Sequence, residues 1–184
     1  GLIELLLLGS TIVSAGQSFE CTPTRVWDGD GPIWCAEGPR VRLSGIAARE
    51  MDGSCSPGHP CPKASAKAAR DALVELVGTA KGRSSEGHIL VSGPTLTCRS
   101  VGGAGGKRTA AWCVSPKSGD LSCAMVKGGW ALKWSKYWKA PAAMDNRPAL
   151  KARMAKLLFG AEVYFFVWMI IGWPLWNLIS FWMQ

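Results

Sequence analysis

Two carboxylates at a tight turn are the first side chains in this sequence equipped for chemistry. Val26-Trp27-Asp28-Gly29-Asp30 sets Asp28 and Asp30 on either side of a glycine that lets the backbone bend. Oxygen ligands gathered at a turn suit a hard cation such as calcium, although Asp-Gly-Asp alone is also an ordinary hairpin turn. Three further charged residues follow: Arg42 within Val41-Arg42-Leu43-Ser44-Gly45-Ile46, then Glu50, then Arg108 within Lys107-Arg108-Thr109-Ala110. Phosphodiester cleavage needs these types. A metal or cations neutralise the phosphate, a carboxylate orients or deprotonates a water, and donors hold charge growing on the phosphoryl oxygens. Guanidinium forks remain charged and grip phosphate oxygens bidentately. Taken singly, Arg42 reads as a strand arginine, Glu50 as a loop carboxylate and Arg108 as part of a basic hairpin, so the case rests on the set.

Other chemistries fit less well. The seven cysteines (21, 35, 55, 61, 98, 113 and 123) include no Cys-x-x-Cys pair, and the only histidines are His59 and His88, which are assigned no role. A structural zinc site is therefore disfavoured, and disulfides in an oxidising compartment are favoured. The expected pairs are Cys98–Cys113, flanking a glycine-rich turn, and Cys55–Cys61, closing a short loop. An odd count leaves at least one thiol over. Gly102-Gly103-Ala104-Gly105-Gly106 is not a phosphate loop, because Val101 and Arg108 stand where that motif needs Gly and Ser or Thr.

The elements that must position these residues can be outlined. Strand-like stretches run over residues 19–28, 31–37 and 40–46, with Trp27, Ile33 and Trp34 as candidate packing residues and a turn at Gly38-Pro39. Residues 51–62 read as loop. A helix is predicted from Pro62 to just before Gly78, with Ala66, Ala69, Leu73, Leu76 and Val77 as its apolar stripe and Lys63, Lys67 and Arg70 solvated. Residues 88–98 and 107–114 read as a hairpin. Asp120 can cap a short helix through Lys127 that Gly128-Gly129 stops, and residues 130–134 read as strand-like. The fold class is mainly β with packed helices, α+β.

The ordered set Asp28-Gly29-Asp30, Arg42 to Ile46, Glu50, Lys107 to Ala110 and Met125-Val126-Lys127-Gly128-Gly129-Trp130-Ala131 resembles the staphylococcal nuclease (thermonuclease) family over roughly residues 20–135. The resemblance implies a five-stranded OB-type barrel with packed helices, and calcium-dependent cleavage of DNA and RNA. It makes Asp30 a direct Ca2+ ligand and Asp28 a support for the metal's water shell. It makes Arg42 and Arg108 the phosphate clamp and Glu50 the residue that activates water. The chain departs from the family pattern at Ala47, where a second calcium-binding aspartate is usual. It departs again at Gly31 in place of threonine and at Arg49 in place of proline. Losing one carboxylate lowers the expected calcium affinity.

The chain has 184 residues, 48% of them hydrophobic and 18% charged, with a formal charge of +8. That suits one folded domain and a field that attracts nucleic acid or anionic lipid. Residues 1–18 read as a signal peptide or N-terminal anchor, with small residues favouring cleavage after Ala15. Residues 19–138 form the nuclease-like domain, and residues 139–162 a linker and basic helix. Residues 163–184 form a candidate transmembrane or docked hydrophobic helix, because residues 163–183 carry no formal charge and would span about 30 Å as a helix. The expectation is an exported enzyme, periplasmic or extracellular, with that segment as its candidate membrane anchor, although the positive-inside tendency of Lys151, Arg153 and Lys156 argues for the opposite side. Two alternatives stay open: a weak or inactive OB-type module that binds nucleic acid or another polyanion, and a membrane-tethered assembly factor.

Overall fold

The structure, a computed structural model, describes residues 11–139. The first ten residues of the expected leader, the linker from residue 140 and the apolar segment 163–184 lie outside the described residues. In chain order the elements are β1 (Ser18–Cys21), β2 (Pro23–Val26), β3 (Ile33–Cys35), β4 (Arg40–Leu43), β5 (Ile46–Ala47), α1 (Ala66–Val77), β6 (Thr79–Arg83), β7 (Ile89–Ser92), β8 (Leu96–Gly103), β9 (Thr109–Ser115), β10 (Gly119–Asp120), α2 (Leu121–Lys127) and β11 (Leu132–Lys133). The domain is thus mainly β with two helices.

Nine strands form one mixed sheet in the order β1-β8-β9-β4-β3-β2-β7-β6, with β10 beside β9; β5 and β11 make a separate pair. The β4–β9 pairing is parallel, with Arg42 opposite Ala110, and every other pairing is antiparallel. Only Thr22 separates β1 from β2, yet β1 pairs with β8 and β2 with β3 and β7. One stretch of chain therefore touches both sides of the sheet path.

Alternation along the strands builds the core. Val26, Ile33, Val41, Leu43, Leu96 and Ala111 are fully buried, and burying an aliphatic side chain of this size contributes roughly 1.5–3 kcal/mol. Helix α1 adds Ala66, Ala69, Leu73, Val74 and Val77. It begins four residues later than predicted, because the Ser65 hydroxyl accepts from the Ala68 N–H and caps it, whereas Pro62 ends the preceding loop. Arg70 corrects another expectation. It is buried within the packed face of α1, with Nε 3.5 Å from Asp71 Oδ1. The helix face toward the sheet is wider than the apolar stripe alone, and the long arginine stem fills it.

The stretch expected as one strand over 88–98 is two, broken at Gly93-Pro94, and β6 was not foreseen at all. Proline cannot donate to a ladder, so the chain turns there. Together β6 and β7 form a hairpin that extends the sheet beyond β2.

Both expected disulfides form. Cys98 and Cys113 face each other across β8 and β9 with Cα atoms 4.1 Å apart, and Cys55–Cys61 closes the 51–62 loop. A third, Cys21–Cys35, has Cα atoms 4.7 Å apart because β3 pairs Cys35 with Pro23, two residues from Cys21. Cys123 belongs to none of the three. At about 2–4 kcal/mol each in the loop-entropy account, these crosslinks rival several core side chains. Three disulfides indicate an oxidising, extracytoplasmic setting. Among the described residues no helix is long and apolar enough to cross a membrane.

Candidate functional site

The Asp28-Gly29-Asp30 turn joins β2 to β3 and is pinned from three directions. Asp28 Oδ1 accepts from the Asp30 N–H at 3.2 Å, and the Asp30 carbonyl accepts from Leu43 N–H at 2.8 Å. Gly29 sits so close to α1 that a Cβ there would meet Ala69 Cβ and Ala48 Cβ at 2.5 and 2.9 Å. The glycine therefore serves helix packing as well as the bend. Gly31, where the nuclease family carries threonine, has φ +111°, and a Cβ would run into the Val41 carbonyl. Only glycine meets both conditions without cost.

Asp30 is the hub. Its Oδ2 accepts from Arg42 Nη2 at 2.7 Å and from Ala48 N–H at 3.2 Å. Burial pushes the Asp30 carboxyl up, opposed by the Arg42 guanidinium and the Ala48 N–H; the charges of Glu50 and Arg108 reach it as well. Asp28 has no such direct cation. Burial and the negative charge of Asp30 push its carboxyl from an ordinary 3.8 up to about 8. Both aspartates are more than nine-tenths buried.

Glu50 is held by its loop. Ser56 Oγ donates to Glu50 Oε1 at 2.7 Å, while Glu50 N–H donates to Ser54 O. The Cys55–Cys61 disulfide closes that loop just beyond Ser54. Arg108 ends the β8–β9 loop and donates from Nε to Gly105 O and from Nη2 to Ala104 O, both at 3.2 Å. All five sequence-identified residues thus belong to one electrostatic neighbourhood centred on Asp30.

A cleft of about 470 Å3 opens beside this cluster, lined by Arg42 and Arg108 together with Ser44, His59, Trp134 and Tyr137. The carboxylates do not line it; Asp30 meets it through Arg42. The Trp134 and His59 rings lie 4.1 Å apart at a 44° tilt, Trp134 meets Tyr137 edge-on at 4.6 Å, and the Arg42 guanidinium lies 5.9 Å from the Trp134 ring centroid. These three aromatic residues were not singled out by the sequence, which left His59 without a role. Trp27 and Trp34, expected as packing residues, belong to no core cluster; only Ile33 is fully buried. The sole prior signal was tryptophan density, ten in 184 residues.

The donor set fits a hard cation, sparsely. Two buried carboxylates that repel one another are relieved by a divalent ion, but among the described residues no group of three or more His, Cys, Asp or Glu is arranged to hold a metal. Ala47, where a further aspartate would stand, is fully buried one residue from the N–H that binds Asp30. Calcium takes six to eight oxygens, so water and backbone oxygens would complete the shell. No protein-family model, curated protein or solved structure matches the chain.

Proposed function

We propose that this chain is a metal-dependent nuclease of staphylococcal type, cleaving phosphodiester bonds of DNA or RNA outside the cytoplasm with calcium as the ion. We further read its β core as an OB-type barrel: β1 and β2 act as one bent strand, which with β3, β4, β9 and β8 closes a five-stranded circuit. That reading is supported by the parallel β4–β9 pair and by β1 returning to β8. Export is supported by the three disulfides, and the segment 163–184 is read as a membrane tether.

One observation carries the enzymatic reading: two arginines, Arg42 and Arg108, and two further carboxyls, Asp28 and Glu50, interact with a single buried carboxyl, Asp30. In the proposed reaction Arg42 and Arg108 hold the phosphate's non-bridging oxygens and meet charge that grows as the water attacks phosphorus and the P–O bond to the leaving oxygen breaks, that oxygen taking its proton from solvent. Glu50, oriented by Ser56, takes the proton of that water. A bound calcium would polarise the phosphoryl oxygen and gather the water. Asp28, once deprotonated, would support the water shell of such an ion. The test is cleavage of single-stranded DNA and RNA by the purified chain in calcium against chelator. Glu50→Ala and Arg108→Ala should each reduce turnover by at least a hundredfold. Cleavage that survives chelation or Glu50→Ala rejects the mechanism.

The Asp30–Arg42 ion pair favours a second reading. With Ala47 in place of a ligand, a site whose Asp30 is engaged by arginine can serve as a polyanion-binding module without cutting. Oligonucleotide binding with no cleavage in calcium, magnesium or manganese would select it. No observation on the described residues favours an assembly-factor role.

A further inference from the structure

A second cleft, also about 470 Å3, lies on the other side of Arg108. Three strands build its floor. Trp34 on β3 pairs with Arg25 on β2 and with Arg40 on β4, and directly paired residues share a sheet face. The guanidinium carbons of Arg25 and Arg40 lie 5.5 and 5.7 Å from the Trp34 ring centroid. Carrying the parallel β4–β9 register one residue back from Val41–Thr109 sets Arg40 beside Arg108. A row Arg25, Trp34, Arg40 therefore runs across the sheet and ends at an arginine of the candidate site. The β6–β7 hairpin supplies the wall. His88 seats its ring 5.0 Å from Trp27 and 4.5 Å from Trp34.

Among the described residues neither the core nor an ion pair accounts for the tryptophans and arginines of this cleft. Trp27 and Trp34 are half-buried and stand outside the core cluster. Among the described residues no carboxylate lies within ion-pair distance of Arg25 or Arg40. Among the described residues the only acid lining the cleft is Glu86, exposed at the hairpin turn, with Oε2 3.9 Å from His88 Nδ1.

We propose that this cleft holds the nucleotides that flank the scissile phosphate on an unpaired polynucleotide strand. Indole faces stack bases of any identity, and arginines two strands apart, about 10 Å at the usual strand spacing, meet successive stretches of phosphate backbone. Base–aromatic stacking with cationic neighbours is the general means of gripping single strands. A duplex keeps its base faces covered, so the cleft selects unpaired substrate. The inference rests on the phosphodiester reading of the adjacent site and names the form of substrate that site receives.

The experiment uses the full chain with Glu50→Gln to prevent turnover, in calcium, and measures binding of a thymidine dinucleotide, a single-stranded thymidine octamer and a duplex octamer. Trp34→Ala should weaken the single-stranded octamer by roughly tenfold and leave the dinucleotide within about twofold. Arg40→Ala should lower the slope of log affinity against log salt by about 0.7, and Glu86→Lys should raise it by a similar amount. Those two variants decide the matter even if Trp34→Ala fails to fold. If the dinucleotide binds but none of the three variants changes octamer binding, the cleft is not used and the nuclease reading stands. If neither single-stranded ligand binds, both fall. A duplex, or an acidic peptide of equal charge, that binds as tightly and loses affinity in the same variants overturns the assignment to unpaired nucleic acid.

Discussion

Arg42 Nη2 donates to Asp30 Oδ2 across 2.7 Å, and both side chains are largely buried, with 15% and 9% of their surfaces exposed. This one contact stabilises the turn that carries the metal-type carboxylates and at the same time engages an arginine expected to bind phosphate.

Removing one partner of such a pair strands a buried charge. Arg42→Ala should therefore destabilise the domain by about 3 kcal/mol, and the cost should shrink in an Asp30→Asn background, where no carboxylate is left unpaired. Arg42→Lys should recover most of the stability but not the turnover, because an ammonium lacks the planar fork. Denaturant unfolding of the four variants checks the coupling; equal costs for Arg42→Ala in both backgrounds would refute it.

Asp28 sets a pH dependence. Its carboxyl ionises near 3.8 when unfolded and at about 8 when folded. The folded state binds the proton more tightly, so the associated stability is complete below about pH 4 and is lost as pH rises through 8. Asp28→Asn should flatten that part of the stability curve between pH 4 and 8. A divalent ion should restore stability to the native sequence above pH 8 and not to the variant. Thermal unfolding across the pH range, with calcium and with chelator, reads both effects.

Ala47 sits one residue from the backbone N–H that holds Asp30. Ala47→Asp should raise calcium affinity and cleavage rate together, since one more carboxylate adds a ligand and a charge. In chelator the same change should lower the melting temperature, because a third acid joins two that already repel each other. A variant that gains nothing in calcium would show that side chain 47 does not reach the ion.

The Cys55–Cys61 disulfide closes the loop whose Ser54 and Ser56 hold Glu50. Replacing both cysteines by serine should reduce turnover by roughly tenfold, since small displacements of a catalytic group are costly, while changing global stability less than loss of Cys98–Cys113. The comparison needs only initial rates and melting temperatures for the two double variants.

Much of the local structure was legible in the sequence. Asp120 caps α2 and Gly128 ends it, because capping depends on residues within a few positions. Cys55–Cys61 and Cys98–Cys113 were readable for the same reason: a short loop and a hairpin bring each pair together. The five charged residues were expected from their order in the family resemblance, and their types suit phosphate chemistry. Tertiary structure alone decided the rest. Arg70 was placed in the interior by the width of the α1 contact, and Cys21–Cys35 by the pairing of β2 with β3. Trp27, Trp34 and His88 became one cleft because a hairpin remote in sequence adds to the edge of β2. The Asp30–Arg42 ion pair arises from the approach of the β2–β3 turn to β4. Such features depend on how strands are ordered across the sheet, and strand order is set by the summed burial of the whole chain rather than by any local pattern.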